Sequence, residues 1–143
     1  MYANSVHVVD YFIFFGRGQI TSVEPIVAWN PDTPWIVMAK IQFASGDIGL
    51  YEGIWDGPGP WSVSINMPEK RWEMRPLENA SYQLAGQRKL EPVESHPWDQ
   101  QFKSGLRLQA EQAVAAAQGY GTELPTLADS LKSMRLVKSI FGI

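Results

Sequence analysis

The chain has 143 residues, the size of one ordinary domain, and 45% of them are hydrophobic, which argues against a disordered protein. Its net charge of −3 and its lack of long Lys/Arg clusters exclude a nucleic-acid footprint, and the absence of cysteine excludes disulfides, thiolate zinc sites and cysteine nucleophiles. The sequence contains no apolar run long enough to span a bilayer. Composition therefore predicts a soluble, cytoplasmic protein that binds neither nucleic acid nor membrane.

The first predicted element is a helix that starts at Asn4 or Ser5 and ends before Gly16. Its residues are apolar almost all round, which is typical of a helix that is buried on most sides. Only His7 and Asp10 interrupt this pattern. Their spacing of three residues places them on one face of the helix.

Period-two alternation then predicts five or six antiparallel strands joined by short turns. A hairpin turn is predicted at residues 45–47, and Gly and Pro residues break the chain at 57–60. The predicted strands cover residues 21–29, 35–43, 48–55 and 61–67, the segment around Trp72 and Met74, and the segment around Tyr82 and Leu84.

Two helices are predicted to close the chain after a proline-marked connection at residues 91–97. The first begins near Pro97, and we interpret His96 beside it as a helix cap or a surface residue. Its predicted apolar stripe consists of Phe102, Leu106, Ala110, Ala113, Val114 and Ala117. The second starts after Thr126, and its predicted apolar positions are Leu127, Leu131, Met134, Val137, Ile140 and Phe141.

This order of elements predicts a single α+β domain over residues 1–143, with helices packed on one face of an open, mainly antiparallel sheet. Several strands carry large apolar side chains on both faces, as in the pairs Trp35 and Ile36, and Val37 and Met38. An open sheet that is apolar on both faces needs a cover for the second face. We therefore expect another domain or a second copy there, most simply a homodimer through the sheet face.

Three segments in order resemble the C-terminal domain of the glucose–fructose oxidoreductase / inositol dehydrogenase (Gfo/Idh/MocA) family. The first, NSVHVVDYFIFFGRGQITSVEP, carries the His-x-x-Asp pattern of that family at His7 and Asp10. The second, IQFASGDIGLYEGIWDGPGPW, is similar to its strand–turn–strand with a Gly-rich exit. The third, ELPTLADSLKSMRLVKSIFGI, looks like its closing helix. Together they span nearly the whole chain.

The resemblance implies a domain that normally works with a Rossmann domain, which binds NAD(P), with the substrate between the two. No Gly-x-Gly-x-x-Gly fingerprint and no Glu-Lys-Pro segment occur in this sequence, so we expect no cofactor site in the chain alone. NAD(P) is implied only if a Rossmann partner is present in trans. The strand that precedes the first helix in the family is expected to be missing as well. The Asp that the family often places four residues before the His is Ala3 here.

The resemblance makes His7 and Asp10 inherited catalytic positions, with His7 in proton transfer or substrate contact and Asp10 orienting it. A simpler interpretation is that His7 is a helix residue bonded to a neighbour. Trp55 and Trp61 flank the Gly-Pro break and are candidate contacts for a sugar, because aromatic faces stack on sugar rings. The simpler interpretation of the tryptophans is packing in the sheet core or an interface. No set of residues suggests a metal site.

The sequence thus predicts the substrate-binding and dimerisation domain of a sugar or polyol oxidoreductase, not catalytic by itself. The alternative is a non-catalytic sugar-binding or assembly module derived from the same family. Whether the chain acts as an enzyme depends on a nucleotide-binding partner.

Overall fold

The computed structural model describes residues 2–55, 57–59 and 61–143. Pro60, which belongs to the predicted Gly-Pro break, is not among these described residues. The helices are α1 (Tyr2–Phe15), α2 (Pro97–Gln101), α3 (Leu106–Ala117) and α4 (Leu127–Phe141). The strands are β1 (Ile20–Val27), β2 (Ile36–Phe43), β3 (Ile48–Ile54), β4 (Val63–Asn66), β5 (Lys70–Met74), β6 (Ala80–Leu84) and β7 (Glu91–Pro92). All strand pairs are antiparallel, which confirms an open α+β fold.

The chain divides into two compact units, Met1–Gly59 with Leu127–Ile143, and Pro60–Thr126. The first unit holds α1, α4 and a sheet of order β1-β2-β3, and the second holds α2, α3 and a sheet of order β4-β5-β6-β7. The sequence predicted one sheet of five or six strands, and this prediction is wrong. Gly and Pro residues between β3 and β4 do not continue a hydrogen-bonded ladder, so pairing stops there.

One face of the first sheet forms the core of the first unit. Burial along β2 alternates strictly, with Val37, Ala39 and Ile41 completely buried. Helices α1 and α4 cover this face, so it is the predicted helix-bearing face. The other buried apolar residues of this core are Val9, Phe43, Tyr51, Leu136, Val137, Ile140 and Phe141.

Helix α4 buries a narrower stripe than the sequence predicted. Val137, Ile140 and Phe141 are buried as expected, together with Leu136. The predicted positions Leu127, Leu131 and Met134 are exposed. Leu127 and Leu131 precede the buried part of the helix, and Met134 lies beside the buried stripe that begins at Ser133.

The second unit is an antiparallel meander whose two faces differ in polarity. Cross-strand pairs such as Ile65 with Trp72, and Trp72 with Tyr82, place half-buried apolar side chains on one face. The opposite face is polar and carries Ser64, Arg71, Glu73, Ser81 and Gln83. Strand β7 lies within the segment that the sequence predicted as a connection, because Tyr82 pairs with Glu91 there.

The single helix predicted after Pro97 is two helices, so that prediction is wrong. Phe102 has an extended backbone, with a φ of −127° and a ψ of 167°, and ends α2. Gly105 has a left-handed φ of 79° and precedes α3, and its N–H donates to Asp99 Oδ1 at 2.8 Å. The predicted apolar stripe is not buried, since α3 has no buried residue among those described. His96 caps α2, its Nδ1 accepting from the Trp98 N–H at 3.2 Å, which confirms the capping interpretation. Within the part of the chain that the structure describes, no helix is long and apolar enough to cross a membrane.

Candidate functional site

Helix α1 presents one face to the core and another to the outside. Ser5 and Val9 are buried against the core, and Phe12 is partly buried beside them. His7, Asp10 and Phe14 lie on the outward side and are exposed, Phe14 by 79%. The predicted pair His7 and Asp10 therefore stands one helical turn apart on an accessible surface.

Asp10 is anchored to the other helix of the first unit. Its Oδ1 accepts a hydrogen bond of 2.5 Å from the Ser133 hydroxyl of α4. Ser133 is only 2% exposed, so its hydroxyl is held in place by the surrounding core. A charge-assisted bond of this kind fixes the carboxylate of Asp10 relative to the core. Sequence reasoning missed Ser133, because nothing local to it signals a partner 123 residues away.

A second polar contact ties the start of α1 to β3. The hydroxyl of Tyr51, a buried residue, is hydrogen-bonded to that of Ser5, which is also buried. Burial raises the pKa of Tyr51, and the hydrogen bond with Ser5 acts in the opposite direction. Because Ser5 lies two residues before His7, this contact fixes the first turns of α1 against the carboxyl-terminal end of β3.

An ion pair holds the end of α1 to the β2–β3 hairpin. The Nε and Nη2 of Arg17 donate to the two carboxylate oxygens of Asp47 at 2.9 and 2.6 Å, and the backbone N–H of Arg17 donates to the same group. These hydrogen bonds from Arg17 hold the pKa of Asp47 far below its usual range. The pair is exposed, so we assign it a positioning role and no large contribution to stability.

Trp55 belongs to an aromatic cluster at one end of the first unit. Its ring lies 4.6 Å from that of Trp29 and 5.4 Å from that of Phe141, measured between centroids. It also lines an open cleft of about 450 Å³ together with Thr33, Pro34 and Trp35. One part of Trp55 thus packs in the core and another part borders the cleft, and its assignment as a sugar contact stays a prediction.

Trp61 precedes β4 in the second unit and is 45% exposed. Elsewhere in that unit the Lys70 ammonium lies 4.6 Å from the ring centroids of both Trp72 and Tyr82. The cation–π contacts account for this lysine without a ligand. The assignment of Trp61 to a sugar site stays a prediction.

The described residues do not fit a bound dinucleotide. Such a site needs a strand followed by a Gly-rich turn and a helix whose first N–H groups meet the pyrophosphate, within a parallel sheet. Both sheets here are antiparallel, and no helix of the described chain directly follows a strand through a Gly-x-Gly turn. Among the described residues there is also no group of three His, Asp or Glu side chains that could hold a metal ion.

Comparison with solved structures finds the same fold in dehydrogenases. UDP-N-acetylglucosamine 3-dehydrogenase GnnA from Acidithiobacillus ferrooxidans matches with a TM-score of 0.73 and 14% identity, over 96% of this chain and 45% of its own. Dehydrogenase MviM from Clostridium difficile matches with a TM-score of 0.76 and 14% identity, over 97% of this chain and 46% of its own. No family model matches the sequence, and a search of the curated proteins finds no relative.

These neighbours are dehydrogenases of the Gfo/Idh/MocA type, and the chain has the fold of one part of them. The chain spans less than half the length of each of these two structures. The fold implied by the resemblance is therefore confirmed.

Proposed function

We propose that this chain is the substrate-binding and dimerising domain of an NAD(P)-dependent sugar or polyol oxidoreductase, and that it is not catalytic on its own. The observation that carries the proposal is the fold match, which takes in 96–97% of this chain and less than half of each dehydrogenase. In this proposal the dinucleotide is bound by the part of those dehydrogenases that this chain does not match. A Rossmann domain would be supplied by a partner chain or by a longer protein of which this is a part.

The outward face of α1 is the proposed substrate side. His7 is exposed there, and imidazole is the side chain whose proton exchange falls near neutral pH. Asp10 is held by Ser133 and stands one turn from His7. We assign proton transfer or substrate contact to His7 and its orientation to Asp10, and we assign sugar contacts to Trp55 and Trp61. Phe14, 79% exposed on the same face, would be covered by the nucleotide-binding partner.

The open face of the first sheet is the proposed dimer surface, which we define by Ile36, Met38, Leu50 and Ile54 with the polar pair Glu24 and Lys40. Leu50 is 68% exposed and Ile54 41%. The strand register places these side chains on the side of the sheet opposite the helices, since Ile36 pairs with Ile54 and Lys40 pairs with Leu50. Helices α1 and α4 pack on the other side, so this face has no cover in the first unit.

A second copy is the cover that fits this surface best. Glu24 and Lys40 stand 3.8 Å apart on it, so it carries both signs of charge beside apolar residues. A two-fold dimer brings one patch against itself, and a patch with both signs can match its own copy. We also expect the module to be cytoplasmic, in keeping with the absence of cysteine.

Light scattering of the purified chain tests the dimer. We expect a dimer for the natural protein and for Phe14→Glu, a matched control that places a charge on the opposite side of the unit. Leu50→Glu places a carboxylate in the dimer surface opposite Lys40, which already pairs with Glu24, and should weaken the dimer roughly 100-fold. A monomeric natural protein, or a Leu50→Glu variant that dimerises as well as Phe14→Glu, would contradict this part of the proposal.

A non-catalytic sugar-binding or assembly module is the second candidate. The observation in its favour is that the described residues offer no dinucleotide fit, so the chain alone has no means of hydride transfer. Flanking coding DNA separates the two candidates: a Rossmann fingerprint with a Glu-Lys-Pro segment favours the oxidoreductase. A fluorescence titration with NADH adds a direct check, since tight binding by this chain alone would contradict both.

A further inference from the structure

Trp35 and Trp55 form a preformed aromatic cleft in the first unit. The backbone N–H of Trp55 donates to the Trp35 carbonyl at 2.8 Å, which extends the β2–β3 ladder by one pair beyond Ile36 and Ile54. Trp55 is fixed further by its packing against Trp29 and Phe141. The Trp35 side chain, in contrast, is 56% exposed. One indole is thus immobilised by the core, and its neighbour stands open to a ligand.

The chemistry of the cleft suits a neutral ring. Its described lining consists of Thr33, Pro34, Trp35 and Trp55, none of which carries a charge. Two indoles offer flat apolar faces to the C–H groups of a sugar, and Thr33 offers a hydroxyl that can donate and accept. A phosphate would need cationic or N–H donors, which this lining does not supply in its side chains apart from the indole N–H. This open surface presents two indoles and one hydroxyl, which suits stacking on one sugar ring rather than enclosure of a whole ligand.

The cleft opens on the same side of the sheet as α1. Side chains alternate along β2, and Val37 and Ala39 lie on the side of the sheet that the helices cover. Trp35 stands two residues before Val37 and so lies on the same side. It therefore lies on the side opposite the dimer surface and stays accessible in a dimer formed there.

The cleft also lies at the same end of the unit as His7. Ser5 contacts Tyr51, whereas Phe12 lies over Gly49, so α1 runs antiparallel to β3 and its first turns stand at the carboxyl-terminal end of that strand. That end leads directly into Trp55. A substrate with more than one sugar-like part could reach from His7 towards this cleft.

We infer that the Trp35–Trp55 cleft binds a neutral sugar ring by stacking, as a subsite for a part of the substrate that is not oxidised. The inference rests on the proposed function, because the oxidised hydroxyl would lie at His7. It adds Trp35 and Thr33 to the substrate-binding residues. The amino acid sequence named both Trp35 and Trp55 among the tryptophans that could stack on a sugar and favoured Trp55, but the pairing of the two needs the strand register.

A sugar titration followed by the indole N–H signals in NMR spectra tests the inference, with N-acetylglucosamine and glucose as probes. We expect at least one of them to shift the Trp35 and Trp55 signals. Trp35→Ala should weaken that binding about tenfold, which corresponds to about 1.4 kcal/mol. Thr33→Val should weaken it less, since it keeps both indoles.

Leu127→Ala is the matched control. Leu127 is 78% exposed at the start of α4, and the other end of the same helix carries Phe141, whose ring contacts Trp55. It should leave the affinity unchanged. Absence of any shift with the folded natural protein, or equal affinities of Trp35→Ala and Leu127→Ala, would overturn the inference. Two other results would contradict the proposed function, namely a monomeric natural chain and the absence of a nucleotide-binding partner. Neither result changes the outcome of the sugar titration.

Discussion

Gly49 is a position in the first unit where one added carbon would meet helix α1 at close range. It lies in β3 on the helix-bearing face, opposite Ile41. A Cβ at this position would lie 2.6 Å from Cε1 and 2.7 Å from Cδ1 of Phe12. Real Cβ atoms essentially never approach a carbon so closely, so the Phe12 ring, which packs against the core, must move.

The expected effect of Gly49→Ala is a net loss of stability. Overpacking of a close contact costs about 1–3 kcal/mol, and replacing a strand glycine by alanine returns roughly 0.5–1 kcal/mol through the unfolded chain. The free energy of unfolding should therefore fall by about 0.5–2 kcal/mol. Because Phe12 is the obstacle, a smaller side chain there should remove most of this loss. The penalty of Gly49→Ala in a Phe12→Leu background should shrink by about 1 kcal/mol.

Urea unfolding followed by tryptophan fluorescence measures these differences in a double-mutant cycle of Gly49→Ala and Phe12→Leu. Gly121→Ala is the control, because a Cβ there would have no atom within 4 Å and its φ is not positive. Its effect should stay within about 0.5 kcal/mol. Gly49→Ala could instead lower the free energy of unfolding equally in both backgrounds, or by no more than Gly121→Ala does. Either result would show that Gly49 is not needed for the close approach of α1 to β3.

Three further predictions concern polar contacts of the first unit. Ser133→Ala should lower the free energy of unfolding by about 1–2 kcal/mol in urea titrations, and this loss should largely vanish when Asp10 is already Asn, since the bond to Asp10 is then weakened. As the pH falls below 3.8, the unfolded chain protonates Asp47 before the folded chain does, so stability is lost. In Asp47→Asn, the melting temperature should therefore fall less steeply at acid pH. Above pH 10 the unfolded chain ionises Tyr51 first, so stability falls as pH rises, and melting of Tyr51→Phe should lack that part of the decline.

Local patterns were sufficient to predict most elements of this fold. Strict alternation predicted the second strand at 35–43, and the structure has β2 at Ile36–Phe43. The helix expected to begin at Asn4 or Ser5 begins earlier, at Tyr2, and ends at Phe15 as Gly16 indicated. These signals are strong because period two and period 3.6 follow directly from the geometry of strand and helix.

Contacts between distant residues were beyond the reach of the sequence. The division into two sheets depends on which strands pair, and both arrangements have the same alternation. The bond between Ser133 and Asp10 joins residues 123 apart, and a serine within an apolar stripe has no local sign of its partner. Helix α3 carries an apolar periodicity that indicates burial, yet none of its residues is buried. Periodicity predicts which face is apolar but does not identify what covers it.

The exposed residues of α1 support the proposal that two partners cover the first unit. The sequence predicts a helix buried on most sides, but in the structure only its inner face is buried, and Phe14 and Phe15 are exposed by 79% and 41%. The sheet below it has a second apolar surface on the opposite side, with Leu50 exposed by 68%. Two apolar surfaces on opposite sides of one unit cannot be covered by one two-fold contact, because such a contact uses a single patch of each copy. Leu50→Glu should therefore change the mass of the free chain. Phe14→Glu should leave that mass unchanged, and it should abolish the binding of any Rossmann domain that is identified as a partner.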